Sequence, residues 1–412
     1  MTQLPNFSSV DLKNQTRGDK TIWSVVIILS LISLLAVYSA TNSLAYKMYR
    51  GNTFVYLIRQ ILTISGGVLI VYAAHRVNYT YYSRVAKILF FLSIPLLIYT
   101  LKFGTSLNEA NRWIKLPVIN LTFQTSDLAK LALFMFLSHQ LSKKQEVIKD
   151  FKKGFVPLIL PIVVICALIA PANLSTALLT GATSMLLLFI GRINIRHIGL
   201  VALIVCIPVV ILIMIARSYY DPVQQKAKPL PAVLDVGRVP TWIKRVQDFM
   251  YAQKDESPYQ VQQAKIAVAK GGFIGLGPGN SEQRNFLPHP YSDFIYAIII
   301  EEYGLLGGAF VIFIYLVFLF RCIRIFRRCP YAFGAFLALG LSFTLVIQAM
   351  SNMAVNVGLF PVTGVTLPLV SMGGSSIIFT SLSIGIILSV ARNVEDTEGN
   401  NQQATEQATE AA

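Results

Sequence analysis

Ten continuous apolar runs divide the chain, at about 21–43, 53–74, 84–102, 123–141, 155–171, 173–190, 195–217, 292–322, 331–356 and 367–392. Each approaches the ~20 residues that an α-helix needs to cross the hydrocarbon of a bilayer. The runs are unbroken rather than alternating, which excludes a transmembrane β-barrel. Nor could the polar residues clothe a soluble globule. Of 412 residues, 54% are hydrophobic and 13% charged, with a mean hydropathy of +0.60, whereas soluble domains carry roughly 25% charge. The expected fold is all-α and membrane-integral, with about ten transmembrane helices.

Basic residues orient such a bundle. With the N-terminus in the cytoplasm, the inner segments hold eighteen Lys and Arg and the short outer loops hold five. That bias predicts both termini inside. The net charge of +15 then speaks of orientation and anionic lipid, not of nucleic acid. The polar stretch before the first run and the lack of a small-residue cleavage site argue against a removable signal. Cys166 and Cys206 fall within apolar runs, and Cys322 and Cys329 flank an inner basic loop. All four read as packing residues rather than a disulfide framework.

The expected domain plan has three parts. Residues 1–20 form a cytoplasmic tail, 21–392 the membrane domain, and 393–412 a disordered acidic tail rich in Gln, Thr, Glu and Ala. Within the membrane domain, residues 218–291 form a large extracytoplasmic loop between helices seven and eight. A loop of this size is too long for a plain connector. It contains two helix-like stretches, at about 240–250 and 258–270, and then a glycine tract from Gly271 to Gly279. Pro171-Ala172-Asn173 makes a tight hairpin of the fifth and sixth runs.

Charges within spans cost about 2.5–3.5 kcal/mol each on insertion scales, so each asks for a reason. Asp127 and Lys130 are spaced to neutralise one another. Arg59 has two readings: a partner acid in another helix, or contact with a substrate. Glu301 and Glu302 are expected to meet buried cations or polar groups across the bundle. Asp293 stands at the outer start of the eighth run. One reading makes it a first-turn acid behind a Ser292 N-cap. The other makes it a reactive carboxylate facing an outer cavity. The glycine tract lacks the Lys-Ser/Thr of a nucleotide-binding P-loop. It reads as a turn returning the loop to the membrane, with backbone N–H groups that could meet an anion.

Two uncharged or mixed stretches complete the pattern. One runs through Asn111, Arg112 and Trp113 to Lys130. The other spans Asn356 to Ser376 and is rich in Gly and Pro, including Thr363, Ser371 and Ser375. Irregular backbone at membrane depth is tolerated only where it is buried or lines a cavity.

These stretches, Asn111–Lys130, Gln263–Gly308 and Asn352–Ser376, resemble the SEDS family (shape, elongation, division and sporulation). The likeness covers roughly residues 20–392. The stretch from Phe360 to Gly374 looks more like the division branch than the elongation branch. One departure stands between helices five and six. The family commonly has Pro-Asp-Leu-Gly-Thr-Ala there, and this chain has Pro171-Ala172-Asn173-Leu174-Ser175-Thr176-Ala177.

The resemblance implies a peptidoglycan glycosyltransferase. It would polymerise lipid II at the outer face of the bacterial cytoplasmic membrane, at the division septum, beside a class B penicillin-binding transpeptidase and other divisome proteins. By motif position the family's essential aspartate falls on Asp293. It would serve as the base of an inverting transfer, and Mg²⁺ or Mn²⁺ is the cofactor it could hold. Arg112, Lys130, Arg245 and Lys265 are candidates for the pyrophosphate. Trp113, Asn356, Thr363, Ser371 and Ser375 are candidates for the rest of the substrate site. Two other readings stay open: a lipid II flippase using midplane charges, and a non-catalytic divisome scaffold.

Overall fold

The computed structural model describes residues 18–42, 44, 52–107, 110–115, 122–221, 226–231, 234–235, 237–251 and 259–410. Each of the ten apolar runs carries a helix. These are α1 (Lys20–Ala40), α2 (Phe54–Arg76), α3 (Tyr79–Phe103), α4 (Thr125–Lys143), α5 (Val156–Ile169), α6 (Leu174–Ile190) and α7 (Ile195–Ser218). After the large loop come α10 (Ile295–Arg328), α11 (Ala332–Asn356) and α12 (Gly374–Glu410). Among the described residues, eight spans are long and apolar enough to cross a membrane. The other two are α4, diluted by its polar residues, and α6, with only 17 residues.

Local signals set the helix ends. Asp19 caps α1 by accepting from the Thr21 and Ile22 amides, and Asn78 caps α3 in the same way. Asn173 caps α6 by accepting from the Thr176 amide at 3.3 Å. The amide side chain at this position thus supplies the N-cap bond.

The bundle is built around α11, which packs against α4, α6, α10 and α12. Phe134 of α4 and Leu187 of α6 are fully buried against it. The α2–α12 crossing relies on small residues. A Cβ added at Gly385 would lie 2.6 Å from the Ala74 Cβ, and one added at Gly67 would lie 2.8 Å from Ser381 Oγ. Such close approach drives helix association in lipid. By contrast, α7 stands apart, and Ala216 is its only buried residue. It meets the bundle mainly through α6 and the loop helix α8 (Val239–Tyr251).

Outside the bundle, β1 (Thr105–Leu107), β2 (Ala110–Lys115) and β3 (Thr122–Gln124) form an antiparallel sheet between α3 and α4. A two-stranded ribbon, β4 (Tyr220–Asp221) and β5 (Lys226–Ala227), opens the large loop. Helices α8 and α9 (Tyr259–Gly271) follow at the two stretches expected to be helical. The backbone from 357 to 373 is non-helical, as its Gly and Pro content predicts.

Two expectations need correction. The helix after Ser292 begins at Ile295, so Ser292 is not its cap and Asp293 is not in its first turn. The acidic tail is helical rather than disordered as far as Glu410. Its Ala, Gln and Glu are strong helix formers, and α12 gives them a formed helix to extend, which avoids the nucleation cost.

Candidate functional site

The site is assembled where the large loop returns to the membrane. Helix α10 is interrupted at Gly304, with φ 69° and ψ −174°. In a continuous helix the Leu305 and Leu306 amides would donate to Glu301 and Glu302. They donate instead to the Gly272 and Phe273 carbonyls at 2.8 and 3.3 Å. The freed Glu301 and Glu302 carbonyls accept from the Leu276 and Gly277 amides, each at 2.9 Å. The glycine tract is thus threaded into the break, and the Leu276 and Gly277 N–H groups are spent on α10 rather than presented to an anion.

The two carboxylates secure the next segment. Glu301 accepts from the Ser281 hydroxyl and from the Glu282 and Gln283 amides at 3.1 and 3.2 Å. Glu302 accepts from the Ser39 hydroxyl of α1 and from the Ser281 amide at 3.3 Å. Arg284 donates to Ser39 Oγ at 2.9 Å and to the Gly279 carbonyl at 2.8 Å. Polar groups from the loop and α1 therefore answer the question these acids pose in the sequence.

Asp293 follows, half-buried just before the N-terminal end of α10. Ser292 Oγ donates to its Oδ1 at 2.8 Å. Its carbonyl accepts from both Asn352 Nδ2 and Asn356 Nδ2 at 2.9 Å. Ser371 Oγ donates to the Ser292 carbonyl at 2.6 Å, and the Met372 amide to the Tyr291 carbonyl at 2.8 Å. The irregular 357–373 backbone thereby buttresses the turn that carries the aspartate.

Charge gathers around this turn. Burial and neighbouring Arg238 lower the Arg245 guanidinium below its ordinary value, while the Asp293 carboxylate raises it. Burial pushes the Tyr291 hydroxyl up, as do Tyr56 and Asp293, against Arg59. Arg59 of α2 therefore acts on this cluster. Among the described residues, no group of three or more His, Cys, Asp or Glu is placed to hold a metal ion.

Two cavities meet at Arg245. The more polar one, of about 400 Å³, is bounded by Arg245, Asp248, Gln260, Lys265, Pro288 and Phe360. A mostly apolar one of about 440 Å³ lies between α6, α7 and α8, walled by Leu178, Leu212, Trp242 and Met250. Arg238 and Arg245 border the latter. Arg245, Phe249, Pro361 and Val362 belong to both walls. Arg238 also donates to the Ala172 carbonyl at 2.5 Å, which ties α8 to the α5–α6 turn.

The other candidates fall into distinct places. Lys130 is paired with Asp127 at 2.8 Å and donates to Gln348 at 3.0 Å. Gln348 in turn donates to the Thr366 carbonyl at 3.1 Å. Trp113, half-buried on β2, lies in register with Gln124. Arg112 lies on the same strand, and its side chain is outside the described residues. Thr363 is buried. Asn356, Ser371 and Ser375 direct polar atoms into the protein, Ser375 accepting from the Gln124 amide at 3.2 Å. Asn352, Gln348 and Arg238 were not singled out from the sequence. The spacing of Asn352 and Asn356, four apart and so on one helix face, was a signal that could have found the first.

The profile of the FtsW, RodA and SpoVE proteins, described as "Cell cycle protein", matches residues 19–396. The chain is 32% identical over 380 residues to "Probable peptidoglycan glycosyltransferase FtsW" of Geobacter sp. (strain M18), covering 90% of this chain and 96% of that protein. It is 33% identical over 386 residues to stage V sporulation protein E of Bacillus subtilis (strain 168), covering 92% and 98%. It also superposes on a chain of a peptidoglycan synthase complex that coordinates polymerization and crosslinking. The TM-score there is 0.70 at 24% identity, over 92% of this chain and 98% of the other. Against the rod shape determining protein RodA of Thermus thermophilus the TM-score is 0.64 at 22% identity, over 94% and 99%. At these identities the structural likenesses speak for the fold, an all-α membrane bundle.

Proposed function

The chain belongs to the FtsW/RodA/SpoVE family, and on that premise we propose that it polymerises lipid II into glycan strands during cell division, with Asp293 as the base. The observation that carries the reading is Arg245, which borders both cavities and whose guanidinium feels the Asp293 carboxylate. A lipid-linked sugar needs an apolar channel for its polyprenyl chain, cations for its pyrophosphate and a carboxylate at its sugar. The α6–α7–α8 cavity, Arg238 with Arg245, and Asp293 supply these in that order.

The donor sugar is α-linked to pyrophosphate and the new bond is β-1,4, so one inverting displacement suffices. Asp293 takes the proton from the acceptor 4-hydroxyl as that oxygen attacks the anomeric carbon. Arg245 and Arg238 stabilise the charge that develops on the leaving pyrophosphate. Mg²⁺ commonly binds through one or two carboxylates together with substrate phosphates. Asp293 fits that mode, and such an ion would supply Lewis-acid stabilisation of the departing phosphate. Lys265 and Gln260 line the polar cavity where saccharide would lie.

A lipid carrier would need free charges near the midplane, and Arg59, Lys130, Glu301 and Glu302 are the candidates. Glu301, Glu302 and Lys130 are instead committed to Ser281, Ser39 and Asp127, and Arg59 acts on Tyr291 beside Asp293, which favours the enzyme reading over a flippase. The partner we assign is a class B penicillin-binding transpeptidase, with both termini of this chain in the cytoplasm.

The test is polymerisation of purified lipid II by the full chain with its transpeptidase partner blocked by a β-lactam. Glycan product from the wild type and none from folded Asp293→Ala or Asp293→Asn is expected. Full polymerisation by Asp293→Asn would remove the base assignment. No product from a folded wild-type complex across several divalent ions would turn the reading to the flippase or scaffold.

A further inference from the structure

We propose that Asn356, seconded by Asn352, is a positioning residue that holds the Asp293 turn open and so fixes where its carboxylate points. The proposal rests on the reading of Asp293 as the reacting group.

The geometry is that of an intercepted helix bond. Helix α10 could extend outward if the Ala297 amide donated to the Asp293 carbonyl, four residues back. Asn356 occupies that gap. Its Nδ2 donates to the Asp293 carbonyl at 2.9 Å, and its Oδ1 accepts from the Ala297 amide at 3.0 Å. The side-chain amide thus stands in for one backbone bond, beside the Ala297 amide's bond to the Phe294 carbonyl at 3.1 Å, and the helix begins at Ile295 instead of at Phe294. Polarity fixes the amide's orientation: turned over, it would set oxygen against the Asp293 carbonyl and N–H against N–H.

Asn352 completes the clamp. Its Nδ2 donates to the Asp293 carbonyl at 2.9 Å and to the Val365 carbonyl at 2.7 Å. Asn356 Nδ2 also donates to the Asn352 carbonyl at 2.8 Å. Both asparagines are buried, at 0% and 1% exposure. Neither is exposed to a substrate, so their role must act through the residues they hold. Burying two amides is costly unless their hydrogen bonds are made, and here the bonds converge on one carbonyl. The Asp293 backbone is thereby joined to α11 and to the irregular 357–373 segment that walls both cavities. An ordinary first-turn aspartate needs none of this. The arrangement suits a carboxylate whose direction matters, because displacement by about 1 Å can cost on the order of 100-fold in rate.

The test uses the full chain with its β-lactam-blocked transpeptidase partner and purified lipid II, measuring kcat and KM separately. Asn356→Ala is expected to lower kcat by on the order of 100-fold with KM near wild type. Asn356→Asp keeps shape and the acceptor for Ala297 but loses the donors, and is expected to lose kcat to a similar extent. Asn352→Ala, which leaves one donor on the carbonyl, is expected to lose less. A second readout is labelling of Asp293→Cys by a membrane-impermeant maleimide, expected to change in rate when Asn356→Ala is added. Thermal unfolding in detergent identifies the folded variants, and Asn356→Asp serves if Asn356→Ala does not fold. Wild-type kcat in a folded Asn356 variant overturns the proposal, as does a loss carried wholly by KM. Wild-type kcat in Asp293→Asn would instead sink the base assignment, whatever Asn356 does.

Discussion

The Leu305 amide donates to the Gly272 carbonyl at 2.8 Å and not to Glu301 in its own helix. The same exchange repeats one residue on, between Leu306 and Phe273. The Leu305 and Leu306 amides and the Glu301 and Glu302 carbonyls, freed by the break, are all paired, which is what a membrane demands of non-helical chain. The glycine tract of the large loop is therefore a structural part of α10, and Asp293 lies just before the N-terminal end of that same helix.

Gly304 is the hinge of that exchange. Its φ of 69° and ψ of −174° lie in a region essentially restricted to glycine. A Cβ there would also sit 2.2 Å from the Phe273 carbonyl oxygen. Gly304→Ala should cost about 3 kcal/mol or more, from strain and clash together. Gly66→Ala is the control, since nothing lies within 4 Å of its added Cβ. The measurement is thermal unfolding in detergent beside proteolysis of the loop. A Gly304→Ala protein as stable as Gly66→Ala would refute the threaded arrangement.

Glu301 holds the loop by charge. It accepts from one hydroxyl and two amides, and bonds to a charged group contribute about 1.5–3 kcal/mol each. Glu301→Gln keeps the shape but loses the charge and part of the acceptor capacity. Amide hydrogen exchange across 279–286 should accelerate strongly, while α11 peptides stay protected. Uniform acceleration throughout the chain would mean general destabilisation instead.

How much of this was legible in the sequence follows from range. Helix positions were readable because hydrocarbon thickness sets run length, and Asn78, Asn173 and Asn194 mark caps within four residues of the groups they hold. Asp293 was readable as a candidate because an acid at the edge of an apolar run needs a reason. Its environment was not. The Asn356 bond crosses 63 residues and the Ser371 bond 79, and no local pattern announces them. Ser292 illustrates the limit: its local signal for an N-cap is sound, yet its carbonyl accepts from Ser371, Asn356 shares the Ala297 amide, and the helix starts at Ile295. The acidic tail shows the converse: its composition alone suits disorder, but the helix that precedes it offers a formed end to extend.

Lys130 and Asp127 separate stability from chemistry. They are 2.8 Å apart with side chains 12% and 9% exposed. Removing one partner of a buried pair costs roughly 3–5 kcal/mol, whereas replacing both with apolar groups can be neutral. Lys130→Met should therefore unfold early, and Asp127→Leu with Lys130→Met should recover most of the loss. If Lys130 also serves the pyrophosphate, the double variant will be stable yet poor in lipid II polymerisation. A stable and fully active double variant would confine Lys130 to structure.

The α6–α7–α8 cavity offers a test by size. Leu178 lies on its wall with Leu212 and Trp242, so Leu178→Trp should narrow it. KM for lipid II with a full-length polyprenyl chain should rise, and KM for a shortened analogue should change little. An equal rise for both chains would place the polyprenyl elsewhere.

Asp248 supplies the pH dependence. It lines the polar cavity, and burial raises its carboxyl above the ordinary value, with Lys244 opposing. As pH climbs through the carboxylate range, the unfolded chain gives up this proton first. Between the two pKa values the folded state binds more protons, so this residue's contribution to stability falls with rising pH and levels off once the folded carboxyl ionises. At neutral pH the ionised side chain is a net cost, which Asp248→Asn removes. The expected outcome is a higher unfolding temperature for Asp248→Asn than for wild type at pH 7. The gap should shrink on acidification and close near the ordinary carboxylate range, about pH 4. Measuring unfolding temperature against pH for both proteins in one detergent checks this. A gap that widened toward acid would mean that Lys244 outweighs burial and that the ionised Asp248 stabilises the loop.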